Sequence, residues 1–232
     1  MAKTIGERTM NVNIDIISDV VCPWCFIGKR RLETALAELD GGHRAHLRWR
    51  PFELNPDLPR EGMDRKSYLD AKFGGAERAR DIYARITAAG AGEGIEFHYE
   101  HIARTPNTFS AHRLLWMAER HGIQNALAEA LFKAYFVDGV DIGDPKALEI
   151  IAVANEIDAE EAARFLAGEE GVAQVRAEER LAHELGVSGV PFFILNGRYG
   201  ISGAQDSNMM RSAIARVIEA KEEPNPIFAA VL

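Results

Sequence analysis

The chain has 232 residues and carries 27 Lys and Arg against 35 Asp and Glu, a formal charge of −8. Hydrophobic residues make up 47%, enough for a full globular core, and no apolar run approaches the ~20 residues needed to cross a bilayer. The acidic balance argues against nucleic acid as the main partner, because that binding is driven by Lys and Arg neutralising phosphates, and no membrane partner is expected.

Residues 1–10 are polar and lack the apolar centre of a signal peptide. They read as a leader, with Met10 as a candidate second start, and the protein is expected in the cytoplasm. Val12, Ile14 and Ile16 alternate with polar residues, which predicts a strand over 11–18. Pro23 suits the first position of a helix, where its missing N–H costs nothing. Leu32, Leu36 and Leu39 continue that helix, and Gly41-Gly42 stops it. A second strand is expected over His46 to Leu54, with Leu47, Trp49 and Phe52 inward and Pro51 and Pro56 limiting its pairing.

From Pro59 to Ala167 helical signals take over. Helices are expected over 67–73 and 76–89, the latter ended by Gly90 and Gly92, then from a cap at Asn107 or Thr108 to His121, and over 124–137, 146–155 and 159–166. A further helix spans Glu169 to Leu185. Val190 to Leu195 and Arg198 to Ile201 then flank Asn196-Gly197, the strongest short-range hairpin signal. Asp206 or Ser207 caps a last helix ending near Ala220. Strands at both ends with helices between them predict an α/β fold, its sheet assembled from the two chain termini.

Cys22 and Cys25 are the only cysteines, spaced as Cys-Pro-Trp-Cys at the corner between the first strand and the first helix. In a reducing compartment such a pair reads as redox-active or metal-binding rather than as a structural disulfide. At a helix tip, unpaired N–H groups and the macrodipole favour thiolate over thiol at Cys22. Cys22 is therefore the expected nucleophile and Cys25, one turn in, the resolving thiol. Trp24 brings no charge, Asp19 opposes ionisation if it points toward the sulfur, and Lys29 lies two turns away. A zinc site using Cys22, Cys25, His98 and His101 is the competing reading. No metal is expected, because Pro23-Trp24 is a poor zinc turn and the gap to the His pair is long.

The stretches Ser18-Asp19-Val20-Val21-Cys22-Pro23-Trp24-Cys25-Phe26-Ile27-Gly28-Lys29, Gly186 to Phe193, and Tyr199 to Gln205 resemble the DsbA-like thioredoxin family, nearest to its FrnE-type branch. The resemblance implies a thioredoxin fold interrupted by a helical insertion domain. Its boundaries are 11–58 and 170–222 for the thioredoxin-like part, 59–169 for the insertion and 223–232 for a tail. It implies a cis peptide before Pro191, with Val190 offering its backbone to an extended peptide or to glutathione. It also implies thiol–disulfide oxidoreductase activity on dithiol or disulfide substrates, protein or glutathione, supported by Pro23 and Trp24. No tightly bound cofactor is implied, glutathione being a candidate co-substrate. Kappa-class glutathione transferases and 2-hydroxychromene-2-carboxylate isomerases share the layout, typically with serine in place of Cys22. In that alternative Ser202, Gly203, Ala204 and Gln205 would hold a glutathione carboxylate at a helix N-terminus. A non-catalytic peptide-binding chaperone using the same groove is a second alternative.

His112 and Arg113 could face the cleft, but read better as a helix face beside a cap at Asn107 or Thr108. Lys29-Arg30-Arg31 reads as a solvated helix face. Trp49 and Phe52 read as core aromatics under the cysteine corner. No Ser-His-Asp set, P-loop or dinucleotide glycine pattern is present.

Overall fold

A computed structural model describes residues 11–39, 44–220 and 230–231. In chain order the elements are β1 (Asn11–Ser18), α1 (Pro23–Ala37), β2 (Arg44–Pro51), β3 (Met63–Asp64), α2 (Arg65–Phe73), α3 (Ala76–Gly92), β4 (Arg104–Thr105) and α4 (Phe109–Arg120). They continue with α5 (Gln124–Phe136), α6 (Pro145–Ala154), α7 (Ala159–Ala167), α8 (Val172–Glu184), β5 (Phe192–Leu195), β6 (Tyr199–Ser202), α9 (Ser207–Glu219) and β7 (Ala230–Val231). The main sheet has the order β2-β1-β5-β6-β7. β1 pairs in parallel with β2, Ile16 opposite Trp49, and antiparallel with β5, Ile16 opposite Phe193. The sheet is thus built from the two chain ends, with the helices mostly between β2 and β5.

Local chemistry accounts for most boundaries. β2 ends at Pro51, which cannot donate to a ladder. Asn196 (φ 49°) and Gly197 (φ 66°) both adopt the positive φ of a tight hairpin turn, and Asn196 exchanges hydrogen bonds with Asn13 of β1, each 2.8 Å. Asp144, Asp158 and Asp206 accept backbone N–H bonds at the starts of α6, α7 and α9. The leader 1–10 and the Gly41-Gly42 stop lie outside the described residues. Of the tail 223–232, Ala230–Val231 form β7, parallel to β6.

Two expectations need correcting. α3 does not stop at Ala89 but runs through Gly90 to Gly92. Gly90 serves packing rather than termination, since a Cβ there would lie 2.3 Å from the Phe97 ring. Lys29-Arg30-Arg31 is not a solvated face either. Lys29 is only 3% exposed and pairs with Glu33 at 2.5 Å and Glu129 at 2.9 Å. Arg30 grips both oxygens of Glu129, while Arg31 bonds Glu93 and the Ala204 carbonyl, each at 2.7 Å. The triplet clamps α1 to α5, to the turn after α3 and to the loop before α9.

One apolar core spans the sheet and the helical block. Ile14 and Ile16 of β1 join it with Phe26 of α1, Phe97, and Phe132 and Phe136 of α5. Phe26 stacks on Phe132 with ring centroids 5.1 Å apart, and meets Phe97 edge-on at 6.2 Å. A smaller cluster on the other face of β1 holds Ile17, Phe52, Ala182 of α8, Val187 and Phe192. Trp49 lies in the first cluster and Phe52 in the second, so the two aromatics are buried on opposite sides of the sheet.

Gly90→Ala is expected to lower stability by about 1–3 kcal/mol through overpacking against Phe97. A denaturant titration checks this, with an unchanged midpoint as the contrary result.

Candidate active site

The chain turns sharply between β1 and α1. Cys22 is the N-cap of α1, with extended backbone (φ −92°, ψ 112°), and Pro23 opens the helix. The Cys22 carbonyl accepts the N–H of Cys25 at 3.0 Å, and the Cys22 N–H donates to the Asp19 carbonyl at 3.0 Å. Both cysteines are free, buried thiols, Cys22 5% and Cys25 1% exposed, and they differ in what they face. Cys22 lines a cleft of about 300 Å³. Cys25 points into the core at 1% exposure. Burial pushes the Cys25 thiol well above the usual range, and its hydrogen bond to Cys22 and the Cys22 charge add to this. Contacts with the Ser18 side chain and the Asp19 backbone pull the other way but do not prevail. One thiol thus faces the cleft and the other is sealed behind it.

Across the cleft stands the turn before β5. The Val190–Pro191 peptide is cis, and the Cys22 thiol donates to the Val190 carbonyl at 3.6 Å. Pro191 packs on α1 where the helix has no side chain, since a Cβ on Gly28 would lie 3.0 Å from Pro191 Cγ. Trp24, 38% exposed, forms the rim beside Pro23.

Ser202, Gly203, Ala204 and Gln205 lie elsewhere. None lines the cleft. The Gly203 N–H donates to the Pro191 carbonyl at 2.9 Å, Gln205 bonds the Ser202 carbonyl at 2.8 Å, and Arg31 takes the Ala204 carbonyl. The start of α9 is already capped by Asp206, which accepts the Met209 N–H at 3.0 Å. This loop braces Pro191 from behind. His98 and His101 both turn Nδ1 to the Val137 carbonyl, at 3.1 and 3.3 Å. Among the described residues no group of three or more His, Cys, Asp or Glu side chains is placed to hold a metal ion.

Asp19 does not aim at the sulfur. Its fully buried carboxylate accepts the Leu54 N–H at 2.7 Å and the Val21 N–H at 3.4 Å. His112 of α4 brings Nε2 to 3.4 Å from Asp19 Oδ1, a charge contact outside hydrogen-bond geometry. His112 is thus buried behind the redox turn, not on the cleft. Burial alone would depress its pKa, but contact with Asp19 and the charges of Asp19, Glu179 and Glu53 raise it above the usual imidazole value. Arg176 of α8 bonds Glu53 at 2.5 Å and Glu179 at 2.8 Å. Glu53 and Glu179 each keep one buried oxygen without a partner. Burial and the Glu179 charge push Glu53 up to about 7, against the pull of Arg176 and His112. Arg113 is structural, bonding the carbonyls of Phe165, Gly168 and Glu170. Asn107 accepts the Phe109 N–H at 3.1 Å.

Sequence reasoning missed the far wall of the cleft, which α2 and α3 supply. Arg65, Tyr68 and Lys72 follow one another at i, i+3 and i+7, so they share one face of α2. That spacing was the available signal.

The chain matches the DSBA-like thioredoxin domain over residues 13–215. The chain belongs to that family. It is 34% identical to a probable DsbA oxidoreductase from Streptomyces coelicolor, whose crystal structure superposes with a TM-score of 0.84 over 94% of each chain. It shares its fold with the cytosolic disulfide reductase DsbM from Pseudomonas aeruginosa, at 18% identity and TM-score 0.64, over 89% of this chain and 98% of that one. The uncharacterized protein YwbO of Bacillus subtilis is 26% identical over 210 residues, 89% of this chain and 97% of its own. No helix among the described residues is long and apolar enough to cross a membrane.

The buried cluster predicts a pH effect on stability. Glu53 holds its proton in the folded state at pH values where the unfolded chain has lost it. His112 likewise holds its proton above the unfolded value. Both contributions are fully present below the unfolded pKa and fade as pH rises through the folded one. Stability should therefore fall between about pH 4.5 and 7, by of order 1–3 kcal/mol from Glu53, and further as His112 loses its proton above the ordinary imidazole range. Glu53→Gln should flatten the part of the curve up to about pH 7, as read from denaturation midpoints across that range. Parallel curves for the two proteins would contradict the assignment.

Proposed function

We propose that this DsbA-like protein is a thiol–disulfide oxidoreductase in which Cys22 attacks and Cys25 resolves. The observation that carries the reading is the asymmetry of the pair, with Cys22 on the cleft and Cys25 buried against it. The Cys22 thiolate attacks one sulfur of a substrate disulfide; a mixed disulfide forms and the other substrate sulfur leaves as a thiolate, which takes up a proton. Cys25 then loses its proton and attacks the Cys22 sulfur. The Cys22–Cys25 disulfide closes and the second substrate thiol departs. Two electrons pass from the protein dithiol to the substrate, and the steps run in reverse for a dithiol substrate.

Supporting residues follow from position. Cys22 stands at the start of α1, where the helix dipole favours the negative charge carried by an attacking thiolate. Val190 offers its carbonyl at the cleft wall, the place where an extended substrate backbone would pair. Burial of Cys25 keeps it protonated until the mixed disulfide has formed, so a captured substrate is held long enough to be released by a single intramolecular attack. The 34% identity to a probable DsbA oxidoreductase and the presence of a second thiol behind Cys22 favour this over an isomerase, which would use the cleft to activate glutathione without closing a disulfide.

Insulin reduction with a dithiol reductant is expected for the wild type and lost in Cys22→Ser. Isomerase or binding function surviving without disulfide exchange would overturn the reading. Cys25→Ser should accumulate the mixed disulfide on Cys22, seen by mass spectrometry as a reducible adduct. In the reduced protein, iodoacetamide should modify Cys22 first and Cys25 at least about tenfold more slowly, because Cys22 lines the cleft and Cys25 does not.

A further inference from the structure

The cleft beside Cys22 has a charge character opposite to that of the molecule. The chain carries 35 acidic and 27 basic residues, yet no Asp or Glu lines this cleft, whereas Arg65 and Lys72 do. Most other Arg and Lys side chains near the core are bound to carboxylates, as in the Lys29, Arg30 and Arg31 clamp. Arg65 is not. Its guanidinium donates only to neutral hydroxyls, those of Tyr83 at 2.7 Å, Thr105 at 3.3 Å and Tyr135 at 3.4 Å. Lys72 likewise has only neutral partners, Tyr68 at 2.5 Å and Asn55 at 3.2 Å. Two full positive charges therefore face a half-enclosed space without a counter-ion among the described residues.

Such charges are held in place rather than left loose. Tyr83 and Tyr68 flank the Arg65 guanidinium with their rings, at 5.3 and 5.9 Å. Lys72 lies 5.1 Å from the Tyr68 ring. Arg65 opens α2, and its N–H is tied to the Ala103 carbonyl at 3.0 Å. The cations are thus aimed by rigid neighbours, and the two share a helix face that looks across the cleft toward Cys22.

We infer that this wall is a subsite for a carboxylate carried by the disulfide substrate, with Arg65 and Lys72 as the residues that select it. The inference rests on the redox reading of Cys22 and deepens it by naming the charge of the substrate. The cationic wall offsets the repulsion that an approaching carboxylate would meet from the attacking thiolate. In free solution that repulsion makes an anionic disulfide the slower partner for any thiolate, so a preference for the anionic form is a signature of the protein and not of the chemistry. The carboxylate can come from a small thiol such as glutathione or from an acidic residue next to a cysteine in a peptide.

The test is single-turnover oxidation of the pre-reduced protein, followed by the change in tryptophan fluorescence. One arm compares oxidised glutathione with its carboxyl-esterified form. The second compares two disulfide-linked peptides that differ only in Glu against Gln beside the cysteine. The carboxylate form is expected to react about tenfold faster in at least one arm, the usual worth of a hydrogen bond to a charged group, and the ratio should shrink as salt rises. Lys72→Glu, on the exposed face of α2, should reverse or abolish the ratio, Arg65→Gln should abolish it, and Arg65→Lys should keep most of it. Preference in the first arm alone supports a small-thiol substrate, and preference in the second alone supports a peptide. Equal rates in both arms, or a ratio untouched by Lys72→Glu and Arg65→Gln alike, overturn the subsite while leaving the redox reading standing. Failure of every disulfide to oxidise the protein removes the redox reading and the subsite with it.

Discussion

A buried carboxylate organises the region around the thiols. Taking Asp19 out of water costs several kcal/mol unless its oxygens are met by donors and an opposite charge. The fold meets that demand from separate places, with the Leu54 N–H beyond β2, the Val21 N–H of the redox turn and the His112 ring of α4. The backbone carbonyl of the same residue holds the Cys22 N–H. One residue thereby ties the exit of β1 to the edge strand, to the helical block and to the nucleophile. None of these partners can shift far without stranding a charge in the core.

Behind Asp19 the electrostatics continue into α8. His112 faces the carboxylates of Asp19, Glu53 and Glu179, and Arg176 balances the last two. Three carboxylates against two cations leave a deficit of positive charge, and retention of a proton on Glu53 relieves it. The cleft on the other side of the turn has the reverse imbalance, with cations and no acid. The cysteine corner sits between a proton-holding interior and a cationic wall. That arrangement separates a thiol that should stay covered from one that should meet substrate.

How much of this was legible in the sequence depended on the range of the interaction. β1, α1, the Asn196-Gly197 hairpin and the capped helices announce themselves through periodicity and turn chemistry within a few residues. The thiol pair and the family resemblance were equally plain. What escaped was set by partners far along the chain. Lys29-Arg30-Arg31 looks solvated because its carboxylate, Glu129, is about a hundred residues away. Gly90 looks like a stop because Phe97 is invisible to a helix pattern. The two-residue strands β3 and β4 are too short for any alternation to show. Asp19 could be read only as a charge near sulfur, since which way a carboxylate turns depends on donors supplied by other elements. The cleft wall left its trace in the spacing of Arg65, Tyr68 and Lys72, but a spacing does not reveal what a helix faces.

The residue that follows Cys25 has a separate lesson. Phe26 belongs to the redox helix, yet its ring is sandwiched among aromatics contributed by the helical block. Transplanting the Cys-Pro-Trp-Cys helix onto a bare thioredoxin scaffold would leave that ring facing water, with its seat missing. The motif helix and the helical block therefore behave as one mechanical part: a change of shape at Phe132 or Phe136 is passed through Phe26 to the helix carrying the sulfurs.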